Sequence, residues 1–204
     1  LQLSSAYGTL ALGTSSLANP GDAKTSERRL VHIQPAPAKQ EDLTQYLSVL
    51  WLTPQMDLIF SEGSSTRRRF FDRLVYGFDR SHAGRILKYE HLARERMKLL
   101  RSPWAHEDRW IASLEEQLAA ATIAIAAVRL SMLAQLQEAE HWALGVFPLP
   151  ALDLQGPGED LLRQGFKALQ AEEELQKCFK ESRTEDKESG RSHVGAHRTD
   201  FRVT

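Results

Sequence analysis

The chain of 204 residues contains a single cysteine, Cys178, so neither an intramolecular disulfide nor a cysteine-based zinc site can form within it. A reducing, cytoplasmic setting is the matching expectation. It lacks any long wholly apolar run: the longest nearly uncharged stretch, 118–136, is alanine-rich and includes Thr122, Arg129, Ser131 and Gln135. That composition reads as a small-residue helix interface and not as a membrane span. The opening residues carry neither methionine nor the basic start and apolar core of a signal peptide, which leads us to expect an internal piece of a longer chain.

Motifs for self-contained catalysis are lacking too. No serine sits in a nucleophile elbow, and Cys178 lies among charged residues with nothing to activate it. The seven histidines are scattered, with no helical metal spacing around a carboxylate, so no metal site is expected. A phosphate-binding loop needs a glycine immediately before its Lys-Ser/Thr pair; Gly21-Asp-Ala-Lys-Thr25 does not supply it, and no acidic Walker B strand follows. This polypeptide alone is not expected to hydrolyse ATP.

What is present is a foldable chain, 42% hydrophobic and 26% charged, of a size for one compact domain or a small domain with a helical extension. Tyr7–Gly13 and Arg29–Ile33 read as strands of a long hairpin whose loop, Thr14 to Glu27, holds the turn signal Asn19-Pro-Gly21, with a proline-rich turn after Ile33. Asp42–Leu47 suits a short helix, and Ser48–Thr53 a buried strand ended by Pro54. From Ser64 the pattern turns helical, broken at Gly77–Arg80 and at Ser102-Pro-Trp104, where Pro103 suits the first turn of a new helix. Trp110, Leu114, Leu118, Ala121, Ile125, Val128, Met132 and Leu136 recur at helical spacing. Ile86, Tyr89, Ala93, Met97 and Leu100 offer the facing seam of a helical hairpin. A proline-marked edge strand over Phe147–Leu154, a third long helix over Leu161–Arg183 and a strand start near Asp200 complete the reading.

The net charge of −1 hides an asymmetry. Residues 65–101 hold eleven Lys or Arg against four Asp or Glu (+7), whereas 107–140 hold two against six (−4). Mutual neutralisation of two helices and a nucleic-acid surface both account for this. Arg67, Arg68 and Arg69 fan around one helical turn near a helix start, where cations oppose the macrodipole. A phosphate backbone or an internal carboxylate such as Asp72 would compensate them.

The segment Leu50-Trp-Leu-Thr-Pro-Gln-Met-Asp-Leu-Ile-Phe60, followed by Arg67-Arg-Arg-Phe-Phe-Asp72, resembles the RecF family of bacterial DNA replication and repair proteins. Glu62-Gly63-Ser64 stands where that family has a glycine–proline turn. A second motif, Val194-Gly-Ala-His-Arg-Thr-Asp-Phe201, resembles the family's Gly-Pro-His-Arg-x-Asp segment, with Ala196 in place of the proline. The resemblance implies an α/β head-lobe portion of an ABC/SMC-like ATPase head with an inserted α-helical arm lobe. Residues 1–63 would belong to the head, 64–185 to the arm, and 186–204 to the strand returning to the head.

By resemblance, the intact protein is an ATP- and magnesium-dependent homodimer that binds single-stranded DNA and its junctions with duplex. It acts in gap repair with RecO, RecR and RecA, supports the SOS response and has no membrane role. Its Walker A loop, signature and Walker B strand would lie outside this chain. Gln55 is the candidate for the nucleotide- and magnesium-sensing loop; a polar helix-start residue is its bland alternative. Arg67, Arg68, Arg69, Arg94, Arg96, Lys98 and Arg101 are candidate DNA phosphate contacts, against a solvated face with internal ion pairs. Gly195, His197, Arg198 and Asp200 carry the head-lobe motif, with no catalytic role. A non-enzymatic helical adaptor or coiled-coil interaction module is the competing reading.

Overall fold

A computed structural model describes residues 2–5, 8–17, 28–33, 36–38, 42, 46, 53–102, 108–140 and 149–204. Backbone contacts divide the chain into two units, Leu1–Leu50 and Trp51–Thr204.

The first unit holds a four-stranded antiparallel sheet in the order β1 (Gln2–Ser5), β2 (Gly8–Leu17), β3 (Arg28–Ile33), β4 (Ala36–Ala38). The expected hairpin is there, with Leu12 opposite Ile33 and Thr14 opposite Val31. Alternation places buried Leu12 and Val31 on one face and exposed Gly13 and His32 on the other. Two readings change. Residues 14–17, assigned to the loop, continue β2, because Thr and Ser tolerate the pleat and pair with β3 across Leu17↔Arg28. The proline-rich segment after Ile33 forms the short edge strand β4, where Pro37 sits at the margin of the sheet. The strand expected over 48–53 and the helix over 42–47 lie largely outside the described residues.

The second unit opens with a 3-10 helix, Pro54–Ser61, with Pro54 in its first turn. Gly63 then leads into α1 (Ser64–Phe78), and α2 (Ser81–Arg101) follows. Asp79, in the break between them, accepts hydrogen bonds from the Ser81 hydroxyl at 2.5 Å, from Arg85 at 2.6 Å and from the Ser81 N–H at 2.9 Å. These contacts, Ser81 foremost, pull its carboxyl down to a pKa of about 2.

α3 (Asp108–Glu140) runs for 33 residues, about 50 Å at 1.5 Å per residue. It is long and apolar enough to cross a bilayer, yet half of that span is buried against neighbouring helices. Its seam serves two partners in turn. Leu114, Leu118, Ile123 and Ile125 pack with Tyr89 and Leu92 of α2 and with Ala171, Leu175 and Phe179. Met132 and Leu133 pack instead with Phe71 and Val75 of α1 and with Leu154 and Phe201. The single helical hairpin read from the periodicity is therefore a packing of four helices, α3 meeting α2 and the helix of Ala171, Leu175 and Phe179 at one end and α1 at the other. Trp110, expected on the seam, is 52% exposed.

β5 (Leu152–Gln155) pairs antiparallel with β6 (Asp200–Val203), so the expected edge strand and chain-end strand meet. The third long helix is three pieces: α4 (Pro157–Arg163), α5 (Ala168–Glu181) and α6 (Arg183–Ser189). Gly165, at φ +88°, turns the chain between α4 and α5, a conformation that ends a right-handed helix. The alanine face of α3 acts as the small-residue interface expected of it. A Cβ on Gly158 of α4 would stand 3.0 Å from Ala126 and 3.2 Å from Thr122, so this helix approaches α3 as closely as side chains allow.

Candidate nucleic-acid interface

The arginine triplet begins α1, whose first turn has no acidic residue. Its charges are met from the other end of the chain. Arg67 forms a bidentate pair with Asp200, at 2.9 Å for each hydrogen bond, and Arg68 donates to the Thr199 carbonyl at 3.0 Å. Two motifs separated by 133 residues are thus one structural unit. The internal carboxylate that compensates the triplet is Asp200, not Asp72. The Arg67 hydrogen bond holds the Asp200 carboxyl below its usual range, against a smaller opposing effect of burial. Arg69 is exposed and, among the described residues, makes no ion pair.

Asp72 is engaged elsewhere. Its two oxygens accept from Arg129 at 2.8 and 2.9 Å, and His82 lies 2.9 Å away on the other side. Burial pushes the Asp72 carboxyl up, but hydrogen bonds from His82 and Arg129 together hold it below its ordinary value. Arg129, 1% exposed at the middle of α3, also donates to the Ala196 carbonyl at 2.9 Å and Thr199 Oγ1 at 2.8 Å, and lies 3.4 Å from Glu159. The Thr199 hydroxyl donates in turn to Glu159 at 3.0 Å. One guanidinium therefore ties α1, α3, α4 and the Ala196–Thr199 segment together.

Arg96 is a second hub. It is 1% exposed, donates to Glu115 at 2.9 Å, Asp186 at 2.5 Å and the Phe179 carbonyl at 2.6 Å, and lies over the Phe179 ring at 5.3 Å. Its assignment as a phosphate contact is corrected: its donors are spent in the core and it has no surface from which to meet a strand. Arg183 adds a bidentate pair to Glu115 at 2.6 and 2.9 Å. The basic–acidic asymmetry of the sequence is in this respect internal neutralisation.

The remaining motif residues form the wall beside α2. Gly195 adopts φ +125°, and a Cβ there would fall 2.1 Å from the Tyr89 hydroxyl, so the position requires glycine. Tyr89 Oη and His197 Nδ1 are 2.6 Å apart, and His197 Nε2 lies 2.8 Å from the Ser192 carbonyl. Nε2–H donates to that carbonyl, and in the neutral ring Nδ1 accepts from the tyrosine hydroxyl. Burial lowers the His197 pKa in keeping with this. Arg198 donates to the His193 carbonyl at 3.3 Å and is exposed.

Arg94, Lys98 and Arg101 line the exposed face of α2; Arg94 has one distant partner, Glu90 at 3.8 Å, and Arg101 donates to the Gly190 carbonyl at 2.8 Å. Gln55 falls on the 3-10 helix, but its side chain lies outside the described residues. Among the described residues no group of three His, Cys, Asp or Glu side chains is placed to hold a metal. The sequence reading missed Arg129, Glu159, Glu115 and Asp186 as determinants. The available signal was an arginine amid alanines and a glutamate beside the seam leucine Leu114, since a charge on an apolar face has to be paired.

No family model matches the chain. It is 37% identical over 183 residues to the DNA replication and repair protein RecF of Rickettsia bellii, covering 88% of this chain and 49% of that protein. It is 36% identical over 201 residues to the protein of the same name from Brucella abortus, covering 97% of this chain and 50% of that protein. Among solved structures, it resembles the recombination mediator protein RecF-ATPrS in the RecFOR pathway, with a TM-score of 0.74, 20% identity, and coverage of 87% of this chain and 49% of that one. The ATP form matches at a TM-score of 0.70 and 22% identity over 87% of this chain and 48% of that one. The chain spans about half the length of the curated relatives it matches. Along nearly its whole length the chain is similar in sequence to RecF proteins, and it shares their fold.

Proposed function

We propose that the chain is the central part of a RecF-like DNA-binding ATPase that acts in DNA replication and recombinational gap repair in the cytoplasm. The observation that carries the reading is the joining of the family's arginine and His-Arg-x-Asp motifs into one ion-paired unit, in a chain that matches RecF proteins along its length. On this reading residues 64–185 form a helical arm lobe inserted between two parts of the head lobe, 1–63 and 186–204. The parent protein dimerises with ATP and magnesium, binds single-stranded DNA and its junctions with duplex, works with RecO, RecR and RecA, and supports the SOS response.

Within this chain only Gln55 is a candidate for the nucleotide and magnesium. On this reading ATP hydrolysis belongs to the full-length parent protein. What this chain contributes is a rigid scaffold and a set of outward cations. Arg69, Arg94, Lys98 and Arg101 are the phosphate contacts in this reading, and they act by counterion release without base reading. Arg67 and Arg68 orient the start of α1 against the Thr199–Asp200 segment. The test is charge reversal of Arg69 and Lys98 in the full-length protein, followed by titration with a labelled gapped duplex over a salt series. Affinity is expected to fall, with the salt slope shallower by about one per lost contact and helicity retained. Unchanged affinity and slope would leave these cations a solvated face.

A further inference from the structure

A groove of about 660 Å³ runs along α2 and is closed on its far side by the turn at 190–192. Its rim carries four cations, Arg94, Lys98, Arg101 and Arg191, against one carboxylate, Glu90. Among the described residues, Lys98 and Arg191 make no ion pair. Arg101 reaches across the groove to the Gly190 carbonyl and so holds the two walls together. Between the cations the floor is aliphatic, formed by Ala93 and the thioether of Met97. Methionine at such a place accepts varied apolar side chains.

The chemistry discriminates between two kinds of anionic occupant. A single nucleic-acid strand held in a groove stacks its bases on exposed aromatic faces. Here the rings available are Tyr89, which is 3% exposed with its hydroxyl tied to His197, and the half-buried His197 itself. Neither presents an open face. An acidic peptide needs a cationic rim for its carboxylates and an aliphatic floor for one or two anchors, and the groove has both, at a volume suited to a short segment.

We propose that the α2 groove is a docking site for an acidic peptide segment of a partner protein, its carboxylates on Arg94, Lys98, Arg101 and Arg191 and an apolar side chain on Met97. This goes beyond the DNA-binding reading and does not need it. A phosphate backbone and the peptide draw on Arg94, Lys98 and Arg101 alike, so the two exclude each other, while Met97 serves the peptide alone.

The test uses the full-length protein and a fluorescein-labelled peptide in which glutamate and leucine alternate, read by fluorescence anisotropy without nucleic acid. A lysine–leucine peptide and a single-stranded oligonucleotide serve as controls. Saturable binding of the acidic peptide, weakened by salt and competed by the oligonucleotide, is expected. Met97→Ser should weaken the peptide about tenfold, as removal of one buried apolar anchor does, and leave oligonucleotide affinity unchanged. Arg191→Glu, on an exposed turn away from the core, should weaken the peptide with the circular dichroism spectrum retained. Absence of saturable peptide binding overturns the proposal, as does indifference to both substitutions. Equal loss of oligonucleotide and peptide affinity in Met97→Ser would make the groove a nucleic-acid site and overturn it as well.

Discussion

Replacing Arg129 by methionine removes a guanidinium that serves Asp72, Glu159, Thr199 and the Ala196 carbonyl at once, while roughly keeping the volume of its stem. Asp72 keeps His82 and some solvent, so its loss is partial. Glu159 is buried completely and would keep the Thr199 hydroxyl as a donor, which leaves a carboxylate in the core without a counter-charge. Stranding one member of a buried pair costs about 3–5 kcal/mol. At about 2–4 °C per kcal/mol for a unit of this size, the melting temperature should fall by roughly 6–20 °C. Urea unfolding followed by far-ultraviolet circular dichroism measures the free energy, and calorimetry the melting temperature. Glu159→Gln in the Arg129→Met background should restore part of the loss, because the stranded charge is gone. A cost below about 1 kcal/mol for Arg129→Met, or no recovery in the double variant, would refute the view of Arg129 as the electrostatic hub of this unit.

Further expectations follow from single contacts. Gly195→Ala forces a side chain into φ +125° and onto the Tyr89 hydroxyl, and should cost about 2–4 kcal/mol by chemical denaturation; a cost near zero would mean the turn re-forms freely. Arg67→Ala and Asp200→Asn should each cost about 1–2 kcal/mol, and a double-mutant cycle should return a coupling of similar size, since the pair is bidentate and largely shielded. Tyr89→Phe should cost about 1 kcal/mol and raise the His197 pKa as read by NMR, because the donor that favours the neutral ring is lost. Acid sensitivity has a defined sign. Asp72, Asp79, Asp186 and Asp200 all have folded-state values below their unfolded ones, so the unfolded chain binds protons first as pH falls. Their stabilisation is present above about pH 4–5 and is lost on descent through the folded values, the last near 2 for Asp79. Denaturant midpoints should fall steeply over that window, and Asp200→Asn should flatten the slope.

The seam of α3 was legible because a core-facing helix repeats apolar residues every three or four positions whatever it packs on. The same periodicity is silent about how many partners it meets. Leu118 and Met132 look alike in the sequence, yet one faces α2 and α5 and the other α1 and β6. Likewise Arg94, Arg96 and Lys98 read as one basic run, and the structure sends Arg96 inward and its neighbours outward. Neighbouring residues on a helix point about 100° apart, and which of them turns inward depends on where Glu115 and Asp186 arrive from α3 and α6. The break at Gly165 was missed because glycine is tolerated within a helix until a turn demands a positive φ.

By itself the sequence determined the helix-rich second half, the hairpin near the start, the missing phosphate loop and the two motifs of the RecF family, because each rests on local propensity or on residue identity at fixed spacing. Tertiary structure alone decided that those motifs meet through Arg67 and Asp200, that Arg129 and Arg96 are core hubs, and that the outward cations of α2 border an aliphatic groove. Charge in a sequence carries no address: whether an arginine meets solvent, a phosphate or a buried carboxylate is set by what folding brings to within 3 Å of it.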